Sequence, residues 1–291
     1  MNFDELEIFR AVAQECSITK AATLLGRVPS NVTTRMQQLE ADLGVQLLVR
    51  NGKRVSLSPT GHIFLDYTQR MLALADEARN VVLGGRDGGT LRIGSMESTA
   101  ASRLPAVLTE FKRTFPETRL EFMTSPSRQL LEHVHSARLD CAFVALFDTE
   151  DNPAELTELG LSGKRVWNEA MVILVPQRDE KAQSTKEIET RSLAAFPQGC
   201  AYRALAEQLL LTSSSLSWQV QEVGSYHAMI ALVAAGESVA LLPKSVLAVT
   251  NIPPAVNSIA VTNKQTWLVW RNAYNTPAFT NFQTELEKVL R

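Results

Sequence analysis

Only three cysteines occur in the chain, Cys16, Cys141 and Cys200, far apart and without C-x-x-C spacing. An odd, scattered set of this kind supports neither a disulfide framework nor a zinc site. Charge of one sign is equally scarce, since 29 Lys/Arg stand against 31 Asp/Glu for a formal net of -2. No global charge advertises a nucleic-acid partner, although a local basic surface is enough to make one. Long apolar runs are missing too: no stretch approaches the roughly 20 residues that span a bilayer. The N-terminus carries Asp4, Glu5 and Glu7, where a signal peptide is basic. A cytoplasmic protein with no membrane partner is expected.

Catalytic constellations are lacking as well. Cys200 follows Gly199, but none of the histidines (His62, His133, His135, His227) forms a recognisable nucleophile–base motif with it. His133 and His135 are two apart on an expected helix and face different directions, a poor metal pair. GGRDGG at 84–89 is no phosphate loop, because it lacks G-x-x-x-x-G-K-[ST]. No enzyme chemistry, metal or cofactor is expected.

What the 291 residues do contain is pattern, with room for two or three domains. Leu6, Phe9, Val12 and Ala13 recur at helical spacing over 4–14. Ser17 and Thr19 offer N-cap hydroxyls to a short second helix that Gly26 can end. Pro29 suits the first turn of a third helix, which buries Val32, Met36 and Leu39 and stops at Gly44. Asn51-Gly52 then marks a hairpin whose tip is crowded by Arg50, Lys53 and Arg54. A helix–turn–helix followed by a basic hairpin is a winged helix. Residues 1–60 hold seven Lys/Arg against six Asp/Glu, a mild net of +1.

From Pro59 to about residue 83 the pattern is one long helix. Ile63, Phe64, Tyr67, Met71, Leu74, Ala75, Ala78, Val81 and Val82 form a stripe suited to a twin helix, the alternative being packing on its own domain. GGRDGG reads as a hinge. Beyond it strands alternate with helices: strands at 90–94, 119–123, 139–146, 170–176, 218–223, 238–243 and 266–271, with helices at 105–115, 127–136, 201–211 and 226–236 and at the C-terminus. That order predicts parallel sheets with ligands at the strands' carboxyl ends, in two lobes about a cleft. No short-period repeat is present.

LEIFRAVAQECSITKAATLLG, QQLEADLGVQLLVR and V-x-L-S-P-T-G, with their spacing, resemble the LysR-type bacterial transcriptional regulators. LRIG, LDCAFVAL and AAGESVALLP resemble that family's periplasmic-binding-protein-like effector region. The resemblance implies a winged helix–turn–helix over 1–58, a linker and dimerisation helix over 59–83, a hinge over 84–89 and an effector domain over 90–291. Its first lobe is expected at about 90–165 and 266–291, its second at about 166–265. The implied partners are promoter DNA, a small-molecule effector, a second copy through the linker helix, a tetramer and RNA polymerase. Where many relatives have Ser-Gln-Pro-Ala, this chain has Val28-Pro29-Ser30-Asn31. That run resembles an RVPSN-x-T subgroup that includes putrescine-utilisation regulators. A stand-alone solute-binding protein or an enzyme on a bilobal fold is the alternative.

The candidate DNA contacts lie at the start of the third helix. Asn31 suits adenine, and Ser30, Thr33 and Thr34 suit base edges or a thymine methyl. Arg35 suits guanine or phosphate. Alternatively, Ser30 caps the helix and Thr33 faces solvent. Thr19, Lys20, Arg50, Lys53 and Arg54 are phosphate candidates, with Lys53 equally readable as a solvated charge. The candidate effector residues follow strands: Ser95, Glu97, Ser98 and Thr99 in a loop; Ser125, Ser127 and Arg128; Ala145; Cys200, Tyr202 and Arg203; Ser225 and Tyr226. Arg128 or Arg203 would serve a carboxylate. Glu97, with Tyr202 and Tyr226 nearby, would favour an amine, unless it pairs with one of those arginines.

Overall fold

The computed structural model describes residues 1–51, 54–83, 88–146, 154–211 and 217–290, the side chains of 50, 51, 54 and 211 excepted. The chain divides into two compact units, residues 1–84 with 136–138, and residues 85–135 with 139–291.

In the first unit, α1 (Phe3–Glu15), α2 (Ile18–Leu24) and α3 (Pro29–Leu43) are followed by the antiparallel pair β1 (Leu48–Asn51) and β2 (Arg54–Leu57) and by α4 (Pro59–Val82). Asn2 caps α1 in a reciprocal box with Glu5. Ser17 caps α2, whereas Thr19 lies inside the helix. Ile8, Phe9, Val12, Ala21, Val32, Met36, Leu39 and Leu47 make one core.

The family-like motifs have local physical roles. Leu39 is fully buried. Glu40 accepts the Leu47 and Leu48 amides at 2.7 and 3.0 Å, which fixes β1 against α3. Gly44 ends α3 at φ 69, a left-handed turn that favours glycine. Ser58 accepts from the Gly61 amide at 2.9 Å and so caps α4. A Cβ on Gly61 would meet the Leu47 carbonyl oxygen at 2.1 Å, so only glycine fits there. In the hairpin, Asn51 pairs in register with Arg54, so Asn51 closes the strand pair, and the rest of the turn expected at Asn51-Gly52 lies outside the described residues.

The second unit contains β3 (Thr90–Ser95), α5 (Glu97–Ser102), α6 (Leu104–Thr114), β4 (Arg119–Thr124), α7 (Ser127–His135), β5 (Cys141–Ala145), α8 (Ala154–Glu158), β6 (Leu161–Pro176), β7 (Ser192–Ala195), α9 (Ala201–Leu211), β8 (Gln219–Glu222), α10 (Tyr226–Ala234), β9 (Ala240–Pro243), α11 (Lys244–Leu247), β10 (Val256–Arg271) and α12 (Pro277–Leu290). One sheet runs β4-β3-β5-β10-β6-β9, and β7 pairs with β8. Among the described residues β3–β4, β3–β5 and β7–β8 pair in parallel, and β10 and β6 run antiparallel to their neighbours. The all-parallel expectation is therefore corrected to a mixed sheet.

The cause is the two 16-residue strands β6 and β10, of which the sequence pattern had exposed only the apolar ends. They pair with each other along their length. The later half of β10 pairs with β5, while the later half of β6 pairs with β9. One α/β layer thus carries Leu91, Val107, Phe111, Phe143 and Phe282 in its core. The other carries Val172, Leu174, Met229, Val233 and Leu242. The two lobes are joined by β6 and β10, and the expected lobe cuts at 165/166 and 265/266 fall inside these strands.

Candidate functional sites

On the helix–turn–helix, Ser30, Asn31 and Thr34 are exposed and Thr33 is half-buried. The N-cap of α3 is Val28, which makes no side-chain cap, so Ser30 stands inside the first turn and is not the cap. Thr33 Oγ1 donates to the Pro29 carbonyl and Thr34 Oγ1 to the Ser30 carbonyl, each at 3.0 Å. With their protons committed, these hydroxyls offer lone pairs and methyl groups to a partner. Arg35 lies 3.8 Å from the buried carboxylate of Glu5, which steadies its stem while leaving the side chain 40% exposed.

Thr19 and Lys20 are exposed at the start of α2. Lys53 and the side chains of Arg50 and Arg54 lie outside the described residues. Several acids of this unit are occupied internally. Asp4 pairs with Arg27, Glu40 holds two amides, and Glu5 is buried.

In the second unit a cleft of about 270 Å³ opens where β3, β4, β7 and β8 give way to helices. That volume sits at the small end for ligand pockets, whose range is roughly 300–1,000 Å³. Glu97, Ser98, Ser125, Ser127, Cys200, Tyr202 and Tyr226 all line it, and the described residues on its wall include no lysine or arginine. Three local bonds shape it. The Met96 amide donates to the Phe143 carbonyl at 3.1 Å, the Ala145 amide to Ser127 Oγ at 3.2 Å, and Ser125 Oγ to Gln129 Oε1 at 2.5 Å. Phe196 and Tyr226 meet edge to face on one wall, centroids 5.0 Å apart.

Glu97 begins α5; the loop expected at 95–99 is a strand end followed by a helical turn. Among the described residues Glu97 forms no ion pair, and its Oε2 is buried without a hydrogen-bond partner. Burial pushes its carboxyl pKa up, with His227 acting against that rise. The expected alternative, a salt bridge from Glu97 to Arg128 or Arg203, is absent. Arg203 donates to Glu207 at 2.8 Å and to Glu222 and is only 10% exposed, so it is spoken for. Arg128 is exposed and lies 3.5 Å from Glu132.

Besides Arg128 and Ala145, four other expected residues do not line the cleft. Ser95 is wholly buried and donates to the Met96 carbonyl, Thr99 is buried within α5, and Ser225 caps α10. Arg203 is the fourth. Arg128 and Ala145 line a neighbouring groove of about 590 Å³ that shares Ser127 and Cys200 with the cleft. Burial raises the Cys200 thiol and the Tyr226 phenol, so both are neutral hydrogen-bonding groups near pH 7. Sequence reasoning missed Phe196 and Pro197, which line the cleft after β7. The signal available was the apolar run SLAAF stopped by proline.

Among the described residues no cluster of three or more His, Cys, Asp or Glu is placed to hold a metal ion, and no helix is long and apolar enough to cross a membrane. Residues 3–62 match the family model described as "Bacterial regulatory helix-turn-helix protein, lysR family", and residues 84–291 match the "LysR substrate binding domain". The HTH-type transcriptional regulator GltR of Bacillus subtilis (strain 168) is 32% identical over 292 residues, covering 98% of this chain and 96% of that protein. The regulator YofA of the same organism is 30% identical over 301 residues, with 100% of both chains covered. Among solved structures, the LysR family regulator CbnR matches with a TM-score of 0.69 at 22% identity over 100% of both chains. Full-length CbnR complexed with its target DNA matches at 0.68, with 22% identity, over 99% of this chain and 100% of that one. At that identity the likeness is one of fold.

Proposed function

Given that this chain belongs to the LysR family of transcriptional regulators, a DNA-binding protein with an effector-binding domain and not an enzyme, we propose that its effector is a small cationic amine held at Glu97. One observation carries this reading. The cleft presents a buried, unpartnered carboxylate oxygen and no described cationic side chain on its wall. An anionic effector would meet repulsion from Glu97 and no lysine or arginine on the described wall. An ammonium would supply the charge-assisted hydrogen bond that Glu97 lacks, and the faces of Tyr226 and Phe196 add cation–π attraction. The RVPSN-x-T resemblance, which includes putrescine regulators, points to the same chemistry.

The proposed DNA reading is by α3. Asn31, Thr33 and Thr34 meet base edges, Ser30 and Arg35 flank them, and Thr19, Lys20, Arg50, Lys53 and Arg54 meet phosphates. Dimerisation through α4 is supported by Ile63, Tyr67, Leu74 and Val81. All four are exposed within the chain and spaced as one heptad seam. The assembly, as dimer or tetramer, reads a two-fold operator from the cytoplasm and meets RNA polymerase there. Lobe closure about the cleft is the event that changes DNA binding; the hinge expected at 84–89 lies mostly outside the described residues.

The test is fluorescence anisotropy of the full chain on DNA from its own upstream region. Binding falls with salt in the manner of a phosphate-contacting protein. Addition of alkylamines shifts it, and matching alkyl carboxylates leave it unchanged. A shift produced by the acids alone removes the amine reading.

A further inference from the structure

Polarity at the floor of the cleft is left over after Glu97 is assigned. Ser98 Oγ and the Tyr202 hydroxyl, both on the cleft wall, are buried without a hydrogen-bond partner, and so is Thr266 Oγ1. The three residues are 3%, 4% and 0% exposed. They arrive from separate elements, α5, α9 and β10, so no local turn or cap accounts for their meeting. They are close neighbours. Burial pushes the Tyr202 hydroxyl well above its ordinary pKa, and Thr266 and Ser98 act against that rise. By strict geometry none of the three has a partner, while Tyr202 lies near enough to Thr266 and Ser98 for weak hydrogen bonding that leaves each hydroxyl room for a better one.

Buried hydroxyls left without partners are costly, and native structures hold few of them. Three in one place, beside a cleft, mark a spot that a bound group completes. The nearest charges leave that spot electrically neutral. Glu169, which is close enough to affect the Tyr202 hydroxyl, is held by both nitrogens of the Arg103 fork and by Ser245 Oγ. A second cation would find no free carboxylate there, and an anion would find no free guanidinium. What three hydroxyls recognise is a group that both donates and accepts, or accepts only, without charge.

We infer that Ser98, Tyr202 and Thr266 form a neutral hydrogen-bonding subsite, and that the effector is an amine bearing an uncharged hydroxyl or carbonyl at the end away from its ammonium. This rests on the reading of Glu97 as the ammonium receptor and narrows it, setting simple alkylamines and diamines aside in favour of amino alcohols and their carbonyl counterparts. Ser98 comes from α5 and Tyr202 from α9, so the same group that satisfies them also ties the two helices together. The amine end chooses the charge class; the three hydroxyls choose within it.

The experiment is calorimetric titration of the full chain with ω-amino alcohols of about three to six carbons, alongside the matched n-alkylamines and α,ω-diamines. The readout is the affinity ratio of amino alcohol to alkylamine at equal length. At the best length this ratio is expected to reach roughly tenfold or more in the wild type. It is expected to fall to about one in Tyr202→Phe and in Thr266→Val, each of which removes one hydroxyl of the subsite. Equal binding of amino alcohols and alkylamines overturns the subsite, as water would then satisfy the hydroxyls, while leaving the cationic reading intact. Tightest binding by diamines overturns it too, by showing that the floor takes charge. Binding of no amine at all removes the Glu97 reading and the subsite with it.

Discussion

Arg103 forks onto Glu169, Nε to Oε1 at 2.7 Å and one terminal nitrogen to Oε2 at 3.1 Å. Arg103 directly follows α5, whose first residues line the cleft, and Glu169 is buried on the strand that joins the two lobes. Ser245 of α11 donates to the same carboxylate at 2.8 Å and accepts from Ser102 at 3.1 Å. One short helix thus has the cleft at its start and a junction between lobes at its end.

Arg103→Ala leaves the Glu169 carboxylate buried with Ser245 alone. A loss of about 3 kcal/mol is expected, the low end for a broken buried pair because Arg103 is partly in water. Adding Glu169→Gln in the same chain should restore much of it, since the stranded charge is gone. Urea unfolding of the effector-domain transition measures both; equal stability of wild type and Arg103→Ala would leave the fork without a structural role.

On DNA, Lys20→Ala is expected to weaken binding alike at all sequences and to lower the slope of log affinity against log salt by about 1. Thr33→Ala removes a base-facing acceptor and methyl group, so it should change the preferred sequence at a cost of about 1–3 kcal/mol at the correct site. Binding to a randomised operator library separates the two. A Thr33→Ala preference identical to wild type would take Thr33 out of the base-reading set.

Leu74 is 64% exposed in the middle of the α4 seam. Leu74→Glu places like charges face to face in a twin-helix interface, and dissociation of the dimer is the expected outcome. Sedimentation equilibrium reads it directly. An unchanged mass would place dimer contacts elsewhere.

As the proposed ammonium receptor, Glu97 would make effector affinity depend on pH, with a definite sign. Burial raises its carboxyl pKa above the usual carboxylate range. The ionised form is the one that binds an ammonium, and alkylamines stay protonated throughout this range. Affinity is therefore full above the raised pKa and declines as pH falls through it, with protons taken up by the empty site. Glu97→Gln should abolish this dependence. Affinity that rises on acidification would assign the pH effect to another group.

Much of this was legible along the chain, for reasons that differ by element. The stripes at Val32, Met36 and Leu39, and the run over 201–211, show helices because each buries one face at helical spacing. Residues 161–169 and 256–265 hid their strands because they alternate exposed, half-buried and charged positions with no two-residue apolar period. Helix α5 was hidden by its composition: ESTAAS is rich in hydroxyls that also suit caps and turns. Glu97 could be named from its place after a strand. That Arg203 is unavailable depends on Glu222, 19 residues away on β8, a partner that no local pattern shows.

The most direct test of the account is calorimetric titration of an alkylammonium and of the matching alkyl carboxylate into the full chain and its Glu97→Gln variant. The account predicts that the ammonium binds wild type, that its affinity falls by about tenfold or more in the variant, and that the carboxylate binds neither. Binding of the carboxylate alone, or ammonium affinity equal in wild type and Glu97→Gln, would contradict it.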